Sequence, residues 1–202
     1  MSISTHAELI TAIATNWKHR SDLNSIATDL IMIGEKWIMR KIRATEMETA
    51  LSTSISASGT ATAPTGFLGF KYAYIDGSPV KNLITKTPQQ IITAYPQRSS
   101  NSKPAWIAYD AGSFIFGPFP DSTYTVKGTY YKRQGPLASG VYDLFTNNPD
   151  LYLFAALAEA EPYVGKDNRI AIWERKRDMI AHDINTEAQG IAASGGLSIK
   201  VE

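Results

Sequence analysis

From Asn147 to Gln189 the apolar positions follow a helical period and divide into two segments hinged near Pro162 and Gly165. Asn148-Pro149-Asp150 has the grammar of a helix start. Proline at the first helical position loses no hydrogen bond, and an aspartate suits the positive end of the helix dipole. Leu151, Phe154, Ala155 and Ala158 then mark a buried stripe, which Pro162 is expected to kink or end. A second helix is predicted from about Asn168. Ile170, Trp173, the aliphatic stem of Arg177, Ile180 and Ile184 lie on one face, while Glu174, Arg175, Lys176 and Asp178 turn to water, and Gly190 is expected to cap it.

The first fifty residues repeat this grammar. Ser4 or Thr5 with Glu8 has the spacing of a capping box, ahead of Leu9, Ile10, Ile13 and Trp17. After the polar turn Lys18-His19-Arg20-Ser21, Asp22 is placed to cap a long helix through Leu23, Ile26, Leu30, Ile33, Trp37 and Met39 to Ile42, reaching about Met47. Gly34 falls inside it, which predicts a close approach of two helices.

Between these halves the period changes to two. Ser52 to Thr65 is rich in Ser, Thr, Ala and Gly and is expected to be a mobile connection without a core of its own. Gly69 to Ile75 and Ser78 to Leu83 flank Asp76-Gly77 as a hairpin would. Thr87 to Ile92 reads as a capped single-turn helix, and Trp106 to Tyr109, Ser113 to Phe116 and Tyr124 to Lys132 read as further strands.

The predicted fold class is therefore α+β, a four-helix bundle with an inserted small antiparallel β domain and a flexible C-terminal tail. Its expected parts are residues 1–50 and 147–190 as the halves of the bundle, 51–146 as the β domain, and 191–202 as the tail. In the tail, Leu197, Ile199 and Val201 alternate among Gly and Ser, as a disordered end or as a segment that adds a strand to another chain.

Composition narrows the chemistry. With 202 residues, 44% of them hydrophobic, the chain buries a real core. The 20 Lys and Arg nearly cancel 19 Asp and Glu, so no global field points to nucleic acid or a lipid surface. The absence of Cys excludes disulfides, thiolate metal sites and a cysteine nucleophile. The first residues lack the basic and apolar regions of a signal peptide, and no run is long enough to predict a membrane span.

A search for catalytic motifs finds none of the phosphate loops, nucleophile elbows or metal-binding helices with known spacing. His6, His19 and His182 have no ligand-spaced neighbours, and no cofactor is expected. Asp76, Asp110 and Asp121 fall at turns, where aspartate is favoured for its own backbone bonds. Two basic clusters stand out: Lys36, Arg40, Lys41 and Arg43, and Arg169, Arg175, Lys176 and Arg177. They read either as solvated faces paired with Glu35, Glu46, Glu48, Glu174 and Asp178, or as surfaces that dock on an acidic ring or line a DNA channel. Tyr72, Tyr74, Trp106, Phe114, Phe116, Tyr130 and Tyr131 read as β core and interface rather than as a stacking platform for single strands.

Local phrases in a fixed order bear a resemblance to a known family. They are Pro64-Thr65-Gly66-Phe67-Leu68, Ser113 to Pro120, Gly128-Thr129-Tyr130-Tyr131 with Pro136-Leu137, Asn148-Pro149-Asp150-Leu151 through Leu157 with Glu159, and Trp173. From about Leu23 to Gln189 the chain resembles the head-to-tail connector, or tail adaptor, proteins of short-tailed bacteriophages. The resemblance implies a structural virion protein without enzymatic activity. It would form a homo-oligomeric ring, commonly of twelve copies, under the portal protein, extend the channel for double-stranded genomic DNA and offer a platform to the tail nozzle. It also implies that the C-terminal segment grips the portal, which maps onto Ile191, Leu197, Ile199, Lys200 and Val201. A stopper or head-completion protein, or a virion-associated hydrolase, are the alternative readings.

Overall fold

The computed structural model describes residues 3–56, 58–96, 101–165 and 169–193. In chain order the elements are helices α1 (His6–Thr11) and α2 (Ala27–Lys41), strands β1 (Glu48–Ser54), β2 (Thr60–Thr62), β3 (Phe67–Ile75) and β4 (Lys81–Thr85), helix α3 (Pro88–Ala94), strands β5 (Trp106–Asp110), β6 (Ser113–Gly117) and β7 (Thr125–Lys132), and helices α4 (Asp143–Asn147), α5 (Pro149–Val164) and α6 (Ile170–Ala193). They form two compact units, one from residues up to Met47 and from Gln134 onward, the other from Glu48–Arg133.

In the helical unit α5 is central. Leu151 through Ala158 are nearly all buried whichever way they point, as expected of a helix with neighbours all round. α2 lays Ala27, Leu30, Ile31, Gly34 and Ile38 against it, and α6 contributes Trp173, Ala181, Ile184 and Ala188. A Cβ on Gly34 would stand 3.1 Å from the Cβ of Ala155, so the close approach predicted from the sequence is present. Gly34→Val is expected to overpack this crossing by about 1–3 kcal/mol, read as a lowered Tm with unchanged secondary structure. α2 and α6 run in the same direction, because Trp37 meets Arg177 and, one turn on along α2 and two along α6, the Lys41 carbonyl meets Asn185.

The N-terminal capping box forms as its spacing requires, with the Thr5 hydroxyl accepting from the Glu8 N–H and the Glu8 carboxylate from the Thr5 N–H. α1 then widens into a π-helical turn, Ala12–Trp17. The long helix expected from Asp22 to Met47 is shorter, because Ser21–Ser25 is 3-10 and Ile42 turns extended. Pro162 lies in the last turn of α5, which ends at Val164 where Gly165 takes φ 70°, at the hinge expected from the sequence. Gly190 is not the expected cap: it lacks a positive φ, and α6 runs on to Ala193.

The β unit is a single seven-stranded sheet of order β1-β7-β3-β4-β5-β6-β2. Its end strands β1 and β2 are consecutive in the chain and joined by the Ser56 N–H to Thr60 carbonyl bond of 2.7 Å, so the sheet nearly closes into a barrel. All pairings are antiparallel except β4 with β5, which α3 connects. Asp76-Gly77 lies in the β3–β4 hairpin, as expected, within a longer loop. The tight turn is at Ala111-Gly112, both at positive φ, between Asp110 and Ser113. Inside lie Leu51, Ile55, Ile75, Ile107, Phe114, Phe116, Val126 and Tyr130.

This architecture overturns the four-helix bundle with a small β insert. The β part is a large, nearly closed sheet, and its helical partner is built on three long helices with short flanking ones. The difference turns on one stretch. Ser52–Ser54 finishes β1 and Thr60–Thr62 is β2, so the Ser/Thr-rich stretch supplies both end strands instead of a mobile connection. From this stretch Ile55 and Ala61 are buried in the core, and Ala63 packs against it.

Candidate functional site

The eight basic residues singled out in the sequence separate into two kinds. Arg43 closes the end of α2: its guanidinium donates to the carbonyls of Met39 and Ile42, and its backbone N–H donates to Asn185 Oδ1 at 2.9 Å. Arg177 is only 9% exposed; its guanidinium lies 4.1 Å from the centre of the Trp37 ring, with Nε donating to Asp178. Lys176 sits over Phe154 and Arg169 over Trp173. These four are held by rings, carbonyls and a neighbouring carboxylate and serve the packing of α2, α5 and α6.

Lys36, Arg40, Lys41 and Arg175 are exposed, and none has a carboxylate within ion-pair distance among the described residues. Four of the five acids expected to neutralise them are engaged elsewhere, Asp178 with Arg177. Glu35 is buried and accepts from the Leu137 N–H at 2.7 Å, Glu46 accepts from Asn147, and Glu48 pairs with Lys71. Burial pushes the Glu35 carboxyl above its ordinary range, and the Leu137 N–H opposes that shift. Lys41 and Arg177, one from each cluster, come together with His182 on an open groove of about 430 Å³.

The bare cations share their helix faces with apolar side chains that are not among the candidates singled out by charge. Met32 and Ile33 stand out from α2, and Ile172 and Met179 from α6. Ile172 and Met179 are seven residues apart and out of phase with the buried stripe, a signal that the sequence does carry.

One charged pair is fully enclosed. Lys18, from the turn expected to be polar, donates its ammonium to Glu161 Oε2, and both residues are over nine-tenths buried. Glu161 Oε1 and the Trp173 indole N–H, buried as well, have no hydrogen-bond partner among the described residues.

The residues weighed for catalysis are dispersed. Asp76 pairs with Lys127 at 2.6 Å, Asp121 accepts from the Tyr124 hydroxyl at 2.7 Å, and His182 is on the groove of α2 and α6. No group of three His, Asp or Glu suited to a metal ion occurs among the described residues. Of the portal-docking candidates, Ile191 is an exposed residue of the last turn of α6, while Leu197, Ile199, Lys200 and Val201 lie outside the described residues. No helix among the described residues is long and apolar enough to cross a membrane.

No curated protein matches the chain. The sequence profile described as SU10 adaptor protein matches residues 4–198, nearly its whole length. The resemblance to phage tail adaptors thus holds at family level, and the chain belongs to the SU10 adaptor protein family, a family of phage structural proteins.

Proposed function

We propose that the protein is the head-to-tail adaptor of its virion, a ring of copies, twelve by analogy with tail adaptors, seated beneath the portal. The ring extends the channel through which double-stranded DNA leaves the head and offers the tail nozzle its platform. The observation that carries this reading is membership of the SU10 adaptor family over residues 4–198. Contacts of standard interface size, repeated around a ring, hold it by multivalency even when each is modest. The portal supplies the local concentration at which the ring closes, so assembly follows head filling.

The experiment is negative-stain microscopy of the purified protein, alone and after mixing with tailless capsids that carry the portal. A collar of new density at the portal vertex, with no closed rings in the protein alone at micromolar concentration, is the expected result. An unchanged vertex removes the reading, and closed rings without portal remove the ordering.

The segment after Ala193, with Ile191 at its root, is the proposed grip on the portal. Truncation after Ala193 leaves α6 whole and is expected to give a protein with unchanged circular dichroism that no longer co-sediments with capsids. Undiminished co-sedimentation assigns the grip to another surface.

A further inference from the structure

α2 and α6 each bury one stripe and present another. On α2 the outward stripe is Asp29, Met32, Ile33, Lys36 and Arg40, at helical spacings of three and four, and all five are exposed. On α6 it is Ile172, Arg175, Met179 and Asp183, with Glu187 at its border, again all exposed. Met32 and Ile33 are 40% and 41% exposed, and Ile172 and Met179 are 51% and 54% exposed. No charged member of either stripe has an ion-pair partner among the described residues. Apolar side chains ringed by unneutralised charge have the make-up of an interface core and its rim.

The two stripes are complementary in order. From N- to C-terminus α2 presents an acid, two apolar residues and two bases, and α6, after Ile172, presents a base, an apolar residue and two acids. Laid parallel with Met179 opposite Met32 and Ile33, Arg175 falls opposite Asp29, Asp183 opposite Lys36 and Glu187 opposite Arg40. One offset of 146 or 147 residues serves all of these pairs, so the match needs no change of helical pitch, and it also places Ile172 opposite the half-buried Ile26. The antiparallel arrangement sets Lys36 against Arg175 and Asp29 against Asp183, so like charges oppose each other.

Direction agrees with this register. Within the chain α2 and α6 already run parallel, and rotation about an axis along the helices preserves direction. A next copy related by a ring axis that lies along the helices would therefore offer its α2 parallel to this copy's α6. Because the two faces differ, the contact is head-to-tail, the kind that generates rings.

We propose that α6 of each copy docks on α2 of the next copy, in parallel register, with Met179 seated over Met32 and Ile33 and ion pairs from Arg175 to Asp29, Asp183 to Lys36 and Glu187 to Arg40. This rests on the ring assembly described above, to which it adds the contacting faces. An acidic-apolar helix of another virion protein would satisfy α2 alone and leave the α6 face unmatched.

Two charge-reversed proteins test it, Lys36→Glu with Arg40→Glu, and Asp183→Lys with Glu187→Lys. Each alone sets like charges at every contact, and binding to tailless capsids that carry the portal is expected to weaken about tenfold per contact, a loss compounded around the ring. Mixed in equal amounts, the two regain complementary contacts in alternation and are expected to restore the collar, with both proteins present in equal numbers. As a second measurement, Met32→Cys with Met179→Cys in this cysteine-free chain is expected to cross-link between copies on capsids under oxidation. Wild-type collars accompanied by undiminished collars from either reversed protein alone, or by no cross-link, overturn the interface and leave the ring standing. No collar from the wild-type protein overturns both.

Discussion

Gly128→Ala is expected to break the β unit open between β7 and β3. Gly128 lies in β7 between two strands, opposite Leu51 of β1 and Ala73 of β3. A Cβ placed on it would stand 2.2 Å from the Tyr72 carbonyl oxygen and 2.9 Å from the Ala73 Cα. Both obstacles are backbone atoms of the paired strand, so no rotamer change relieves the contact. β3 must move away from β7, beside the irregularity between Phe70 and Tyr72 where their register already shifts. Separation there also uncovers Ile75 and Val126, both fully buried. We expect a loss of about 3 kcal/mol or more, at the upper end for overpacking, because the clash is with main chain. Guanidinium denaturation followed by near-ultraviolet circular dichroism measures it. A variant within about 0.5 kcal/mol of wild type, the range of ordinary surface substitutions, would show that β3 yields easily.

The second large effect belongs to the helical unit. Lys18→Met leaves the Glu161 carboxylate enclosed without its counter-charge, and Oε1 of that carboxylate has no other hydrogen bond among the described residues to compensate. Breaking a buried pair from one side costs about 3–5 kcal/mol, whereas replacing both members by uncharged groups of similar volume is often neutral. Lys18→Met is therefore expected to destabilise strongly at neutral pH, and Lys18→Met with Glu161→Leu to recover most of the loss. A double-mutant cycle by thermal or chemical denaturation separates the two cases. If the double variant is as unstable as the single, packing at Lys18, and not charge, is what the site requires.

Elements with strong periodic apolar signals are legible in the sequence itself. The capping boxes at Thr5 and Thr87, the α5 start at Pro149 and the crossing at Gly34 follow from spacing alone, and all are present. The size of the β unit is not legible there, because Ser52–Ser54 and Thr60–Thr62 take their strand state from partners far along the chain. β1 pairs with β7 and β2 with β6, and local composition carries neither contact. Lys18 misleads in the opposite sense. A lysine in a polar turn is exposed by default, and only the distant Glu161 explains its burial. Among the basic candidates, Arg177 falls on the buried stripe through its stem, as its spacing predicts, but its ring partner Trp37 comes from the other end of the chain. Charge alone does not separate the bare cations Lys36, Arg40, Lys41 and Arg175 from those already held.

The register of β1 on β7 bears on how the chain folds. Glu48, the first strand residue, is paired with Tyr131, near the end of the last strand, so the chain enters and leaves the sheet at adjacent points. α2 is made early in synthesis, yet the central helix it needs, α5, follows only after the whole of Glu48–Arg133. Until then the face that packs on α5 has no native partner. Once β1 and β7 pair, that intervening length no longer counts as a loop to be closed, which spares on the order of 3 kcal/mol of closure entropy. In the folded sheet β1 and β7 thus act as a clasp: their pairing holds Met47 and Gln134 close together, so that, once it has formed, α2, α5 and α6 meet as if the segment between them were short.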